Sequence, residues 1–300
     1  MPDALERLSA RQRDLLGCWL PGVGVVEDMS WGLVETTVLQ VVADGERFVV
    51  KAGGASDHHI AREVHAHREW TGPWLAQGRA ARLRYADVDA KLLVTSYLPG
   101  RLVQDHPAAA GPDTYAQAGL LLAALHGQSA VEDAGYEARA NAKAERWLAG
   151  DHRITPDDVA QLRALIRSWP TPPAVLVPTH GDWQGRNWLV DDDGTVRVID
   201  LGRAELRPAM TDLARLAERE FRRYPGAEEA FLAGYGLDPR TPEEWFRSRV
   251  REAIGTAAWA HRVGDEPFEA QGHRMIAEVL ADASRERRMS GAVEGRDDDA

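Results

Sequence analysis

The segment Thr179-His180-Gly181-Asp182-Trp183-Gln184-Gly185-Arg186-Asn187, with Val198-Ile199-Asp200-Leu201-Gly202 behind it, has the residue types and spacing of a reaction centre. Phosphoryl transfer requires a group that accepts or orients the proton of an attacking hydroxyl. It also requires oxygen ligands that hold Mg²⁺ across nucleotide phosphates. Asp182, Asn187 and Asp200 can supply all three, and Asp200 opens an Asp-x-Gly turn. The short apolar pieces Trp188 to Val190 and Val196 to Ile199 flank Asp191-Asp192-Asp193-Gly194, so a hairpin folds both ends of the segment into one cleft. Each piece alone occurs often, because Asn and Asp commonly bond their own backbone in turns. Their joint spacing, with His180-Gly181 in front, is that of a kinase-type catalytic loop.

The elements that must position these residues differ between the two parts of the chain. Residues 1–99 alternate apolar and polar side chains in short runs: Val23 to Met29, Glu35 to Ala43, Glu46 to Lys51, Ala81 to Ala86 and Leu92 to Tyr97. Asp44-Gly45 between β-branched runs is a strong hairpin signal. One helix is expected there, from Asp57 to Trp70. Leu98-Pro99-Gly100 punctuates the chain and marks the expected domain boundary. Beyond it the pattern is helical: Asp113 to His126, Ala138 to Leu148, Pro156 to Trp169, Met210 to Tyr224, Ala227 to Tyr235, Pro242 to Val263 and Glu266 to Arg288. The sequence therefore predicts an α+β, two-lobe fold. A small β-rich nucleotide-binding lobe spans 1–99, a large mainly helical lobe with the catalytic loop and acceptor site spans 100–290, and a solvated or disordered tail occupies 291–300.

His180-Gly181-Asp182 with Asn187, and Ile199-Asp200-Leu201-Gly202-Arg203, resemble the aminoglycoside phosphotransferase and choline kinase family, small-molecule kinases with a protein-kinase-like fold. The resemblance runs from about Val25 to Asp212. It includes Leu98-Pro99-Gly100 at the family's hinge, Leu121 to His126 at its Leu-His helix end, and Pro208 to Leu213 at its Pro-x-x-x-Asp-Leu segment. It implies Asp182 as the catalytic residue, Asn187 and Asp200 as Mg²⁺ ligands, and Lys51 as the group that binds the ATP phosphates. Glu63 would pair with Lys51, with Glu69 as the other candidate. Adenine would bond the main chain of Ser96 and Leu98, and Ser30, in the short loop Met29-Ser30-Trp31-Gly32, would lie near the phosphates. His180 and Asp212 would be structural, orienting and anchoring the catalytic loop. The sequence departs from protein kinases in having no G-x-G-x-x-G.

Composition narrows the alternatives. Thirty-six basic against 47 acidic residues give a net charge of −11, of which −2 falls in residues 1–99 and −9 in 100–300. Such a balance argues against nucleic acid or an anionic membrane and suits a cationic small molecule, although solubility alone also explains it. Only Lys51, Lys91 and Lys143 are lysine, so Lys51 stands out in an arginine-dominated chain. A single cysteine, a charged N-terminus and no long apolar run predict a cytoplasmic protein without disulfides, as a monomer or homodimer. His58, His59, His65 and His67 read as a solvated helix face rather than a metal site, and core packing accounts for most of the ten tryptophans, with Trp183, next to Asp182, a candidate wall of the acceptor site. The functional expectation is ATP-dependent phosphorylation of a hydroxyl on a cationic antibiotic. A metabolic kinase for choline, a sugar or an amino alcohol is the alternative, and a non-catalytic nucleotide-binding regulator a further one.

Overall fold

Two consecutive left-handed residues, Asp44 (φ 48°) and Gly45 (φ 79°), close the expected hairpin, a geometry whose twist matches its flanking strands. The computed structural model describes residues 4–30 and 35–297, with side chains to 285. Its chain order begins with α1 (Ala10–Trp19), β1 (Gly24–Asp28), β2 (Thr37–Ala43), β3 (Glu46–Ala52), α2 (His59–Glu69) and α3 (Gly72–Leu75). It continues with β4 (Leu83–Asp87), β5 (Leu92–Ser96), β6 (Arg101–Leu102), α4 (Pro112–His126), β7 (Val131–Asp133), α5 (Tyr136–Ala149) and α6 (Pro156–Ser168). Then come β8 (Ala174–Thr179), β9 (Trp188–Val190), β10 (Val196–Val198), β11 (Glu205–Arg207), α7 (Leu213–Glu218), α8 (Glu220–Arg223), α9 (Ala227–Tyr235), α10 (Pro242–Val263) and α11 (Glu266–Asp297).

Contacts divide the chain into two compact units, residues 1–130 with 176–238, and residues 131–175 with 239–300. In the first, β1 to β5 form an antiparallel sheet in the order β1-β2-β3-β5-β4. Leu39, Val41, Val50, Leu92 and Val94 point to one face and pack with Leu8, Leu16 and Leu20 in and around α1. Leu93 points to the other face, where Ile60 and Val64 of α2 meet it. The period of two along the strands thus fixes which helix covers which face. Helix α1, absent from the sequence reading, starts at a capping box in which the side chains of Ser9 and Gln12 each accept the other's backbone N–H.

Gly100 lies at φ 136°, and a Cβ there would stand 3.0 Å from the Val190 carbonyl. The hinge therefore feeds directly into β6, which pairs with β9 of the catalytic hairpin through Arg101 opposite Val190. Helices α4 and α9 meet backbone to backbone: a Cβ on Gly119 would lie 2.1 Å from the Phe231 carbonyl, and one on Gly234 2.0 Å from the Ala116 carbonyl. Only glycine allows that approach, which sets His126 at the end of α4 against Tyr235 at the end of α9.

The second unit is helical. Leu148, Leu162, Ile166, Val250, Ile254, Ile276 and Val279 from α5, α6, α10 and α11 form its core. Helix α11 runs on to Asp297, into the stretch expected to be a tail, and 298–300 lie outside the described residues. The single helix expected over Met210 to Tyr224 is instead α7 and α8, separated at Arg219 (φ −125°, ψ −77°). No helix among the described residues is long and apolar enough to cross a membrane.

Candidate active site

Strand β8 delivers Thr179 to the base of the catalytic loop, where its hydroxyl donates to the Glu205 carbonyl of β11 at 2.6 Å. Gly181 follows at φ 78°, with the Arg203 carbonyl 2.3 Å from where a Cβ would be, so no other residue fits. Asp212 receives the turn: its Oδ2 accepts from His180 N–H at 2.8 Å and its Oδ1 from Gly181 N–H at 2.6 Å. His126 Nε2 lies 3.1 Å from the same Oδ2, and its Nδ1 lies 2.8 Å from the Tyr235 hydroxyl. Burial alone would raise the Asp212 carboxyl, yet the His126 hydrogen bond and charge hold it below the usual range. The α4–α9 crossing thus anchors the loop through His126 and Asp212. His180 is fully buried. Its Nδ1 accepts from Asp182 N–H at 3.3 Å, which leaves Nε2 to donate to the Ile199 carbonyl at 3.0 Å. His180 and Asp212 thus both bond the backbone of the catalytic loop.

Asp182 itself is 3% exposed. Its Oδ1 accepts from Arg215 at 2.6 Å and from Gln184, and its Oδ2 from Arg186 at 2.7 Å. Burial pushes its carboxyl up, but Arg215, Arg186 and Arg203 outweigh that and hold it well below the usual carboxylate range. Asn187 Nδ2 donates to the Asp182 carbonyl at 2.7 Å, which leaves the Asn187 amide oxygen as the uncommitted end of that side chain. Ile199 N–H donates to the Asn187 carbonyl at 3.0 Å, so the hairpin brings Asp200 beside the loop as its spacing implied. Asp200 takes the left-handed region, φ 65°, tolerable for an aspartate.

From the sheet, Lys51 at the end of β3 places Nζ 3.0 Å from Asp200 Oδ1. It also contacts both carboxylate oxygens of Glu63 on α2, at 2.7 and 3.0 Å. Burial works against the Lys51 charge, but Asp200 and Glu63 outweigh it and keep the ammonium protonated. The same burial pushes the Glu63 carboxyl up, against Lys51. With an ammonium on both of its oxygens, the ionised pair is the form the geometry supports. Glu69, the other candidate, is exposed. The structure therefore brings Lys51, Glu63, Asp182, Asn187 and Asp200 into one connected set.

At the hinge, Ser96 N–H donates to the Arg82 carbonyl at 2.9 Å, while Arg82 N–H goes to the Ser96 hydroxyl rather than to its carbonyl. The main chain of Leu98 has no hydrogen-bond partner among the described residues. Ser30 is not joined to the set: its hydroxyl accepts from Val38 N–H at 2.9 Å and from Arg7 at 3.1 Å. Trp31-Gly32 of the same loop lie outside the described residues.

Three readings of the sequence change. Trp183 does not wall an acceptor site: it is fully buried, stacked on Trp74 with centroids 5.9 Å apart and edge-on to Trp188 at 5.5 Å. A large ring one residue after a buried loop aspartate is drawn into the core by the area it hides. The histidines of α2 are not one solvated face. His59 Nδ1 bonds the Gly202 carbonyl at 2.8 Å, and His67 lies 4.0 Å from Glu63 with a side chain 6% exposed. His59, Glu63 and His67 fall at intervals of four and share one stripe, a signal that was present in the sequence. The break between α7 and α8 also contributes to the site, since Arg219 donates to Gln184 at 3.0 Å and Glu220 accepts from Gly185 N–H at 3.0 Å. Arg215, Arg219 and Glu220 were missed because nothing in their local pattern marks them.

A model described as the phosphotransferase enzyme family (APH) matches residues 30–250. No curated protein matches the chain in sequence. Among solved structures, the choline kinase LicA from Streptococcus pneumoniae is 14% identical with a TM-score of 0.65, covering 90% of this chain and 97% of its own. A thermostable mutant of the aminoglycoside phosphotransferase APH(4)-Ia, in a ternary complex with ADP and hygromycin B, is 14% identical with a TM-score of 0.68, covering 91% and 98%. A choline/ethanolamine kinase family protein from Mesorhizobium loti is 20% identical with a TM-score of 0.60, covering 89% and 90%. These likenesses show the expected α+β, kinase-like fold, an N-terminal antiparallel sheet followed by a mainly helical region.

Proposed function

We propose that this chain, which belongs to the phosphotransferase enzyme family and is a small-molecule kinase, transfers the γ-phosphoryl group of ATP to a hydroxyl of a cationic small molecule. The observation that carries the reading is the connected set in which Lys51 bridges Glu63 and Asp200 while Asn187 is tied to Asp182. Lys51 binds the nucleotide phosphates, held extended toward them by Glu63. The main chain of Ser96 and Leu98 receives adenine, and Ser30 remains the candidate for the phosphate-covering loop. Asp182 accepts or orients the proton of the acceptor hydroxyl. Its depressed carboxyl makes orientation, rather than complete proton removal, the larger part of that task.

The donor set fits a hard cation. Asn187 keeps its amide oxygen uncommitted, and the second carboxylate oxygen of Asp200, a side chain 48% exposed, has no partner among the described residues. Asn187 and Asp200 would hold Mg²⁺, which when bound neutralises charge on the nucleotide phosphates.

The acceptor class rests on charge. Residues 100–300 carry −9 of the net −11. Hygromycin B, bound in one structural neighbour, and choline, in the name of another, are both cationic. An aminoglycoside or basic peptide antibiotic, with resistance as the outcome, is the finer reading, and ATP supply places the enzyme in the cytoplasm. Incubation with ATP and Mg²⁺ and a panel of aminoglycosides, basic peptides, choline, ethanolamine and neutral sugars tests this through ADP release. Turnover with a cationic alcohol is expected. Turnover with choline alone selects the metabolic alternative, and turnover with neutral sugars alone removes the charge argument. Nucleotide binding without ADP release for any acceptor, or for water, would leave a regulator.

A further inference from the structure

Asp182 accepts three hydrogen bonds, and their distribution is uneven. Gln184 and Arg215 share Oδ1, whereas Arg186 alone occupies Oδ2. A carboxylate offers about four lone-pair sites, so the remaining one is on Oδ2, the oxygen that Arg186 already touches. An acceptor hydroxyl that reaches Asp182 must therefore approach beside the Arg186 guanidinium. The two arginines also differ in burial: the Arg186 side chain is 30% exposed and that of Arg215 is 19% exposed. Arg186 sits in the 3₁₀ turn Gly185–Asn187, immediately before the residue whose amide is fixed to the Asp182 carbonyl. Arg215 comes from α7 and shares its carboxylate oxygen with Gln184.

We infer that Arg186 is a second catalytic residue, a cation that contacts the transferred phosphoryl group. The inference rests on the kinase reading above. In the step concerned, the acceptor oxygen forms a bond to the γ-phosphorus and the bond from that phosphorus to the bridging oxygen breaks. The electron pair leaves on ADP, and the hydroxyl proton, hydrogen-bonded to Asp182 Oδ2 during the transfer, is released to solvent. Charge spreads over the three equatorial oxygens of the phosphoryl group during the transfer, and a planar guanidinium matches that geometry with two parallel donors. Arg186 is thus supplied in cis by the catalytic loop, and Arg215 stays on Oδ1 as the compensating charge that keeps Asp182 ionised.

ADP binding is compared with binding of ADP plus aluminium fluoride, which mimics the phosphoryl group in transit, in wild type, Arg186→Gln and Arg186→Lys. In wild type the fluoride should tighten nucleotide binding. Arg186→Gln should bind ADP within about twofold of wild type and lose about 10²-fold of the tightening, the scale of one transition-state donor. Arg186→Lys, which keeps the charge without the fork, should fall between them and guards against a folding defect in the glutamine variant. Full tightening in Arg186→Gln overturns the inference and confines Arg186 to holding Asp182, with the kinase reading intact. A wild type that binds no ADP overturns both.

Discussion

Asp182 and Glu137 are each a buried carboxylate gripped by two arginines, and comparing them shows what separates a reaction centre from a structural charge. Glu137 in α5 has both oxygens taken by Arg251, at 3.2 and 2.7 Å, with Arg247 Nε 3.2 Å from Oε2. Asn141 then bonds the same Arg251 guanidinium. Every partner there lies on a helix, and Arg251 spans both carboxylate oxygens of Glu137 as one bidentate pair. Asp182 lies on a loop fixed by Asp212, keeps one open site on Oδ2, and has Asn187 and Asp200 as neighbours with uncommitted oxygens. Burial and ion pairing are common to both. A place on a loop beside two further oxygen ligands, Asn187 and Asp200, is particular to Asp182.

The largest way to sharpen the comparison is Glu137→Ala, which strands two arginines and should cost about 3–5 kcal/mol of stability in urea denaturation. Turnover per folded molecule should stay within about twofold of wild type. A tenfold fall in turnover at full folding would make Glu137 part of the reaction site and break the contrast. Acid sensitivity should also separate the regions. Burial first, and then the Lys51 charge, lowers the His67 imidazole from 6.5 to about 4 in the folded protein. Its neutral form is favoured in the fold while the unfolded chain takes up the proton. Stability is therefore full above pH 6.5 and falls by about 3 kcal/mol as pH drops toward 4. In His67→Leu that part of the acid loss should disappear, measured as the denaturation midpoint against pH, and an unchanged acid limb would contradict the assignment. The smallest effect expected is at Arg219→Ala. One hydrogen bond to Gln184 is removed, worth about 1 kcal/mol, and kcat should fall about fivefold with little change in the KM for ATP.

The same comparison explains what could be read from the sequence. Asp182, Asn187, Asp200 and Lys51 were legible because their chemistry is local: fixed spacing along a loop, a hairpin that returns the chain, and a strand end. The sheet was legible for a similar reason, since Asp44-Gly45 and the alternation around it specify pairing and face together. Arg215, Arg219 and Glu220 were not, because they reach Asp182, Gln184 and Gly185 from 33 to 35 residues away and depend on a helix break that local propensity does not favour. Trp183 was misplaced because sequence adjacency to Asp182 says nothing about which way a ring turns. The inward histidines were recoverable: His59 and His67 bracket Glu63 at four-residue steps, so choosing Glu63 as the Lys51 partner already implied them. Strand β8, short and containing Pro178, gave too little period to register, although it carries the catalytic loop.

The central claim is that Asp182 directs an acceptor hydroxyl in ATP-dependent phosphoryl transfer. It is tested most directly by phosphate transfer from γ-labelled ATP in Asp182→Asn against wild type, with the best acceptor from the panel and nucleotide binding measured in parallel. The account predicts a loss of about 10³-fold in turnover, with ADP affinity unchanged. Transfer by Asp182→Asn at the wild-type rate would contradict it.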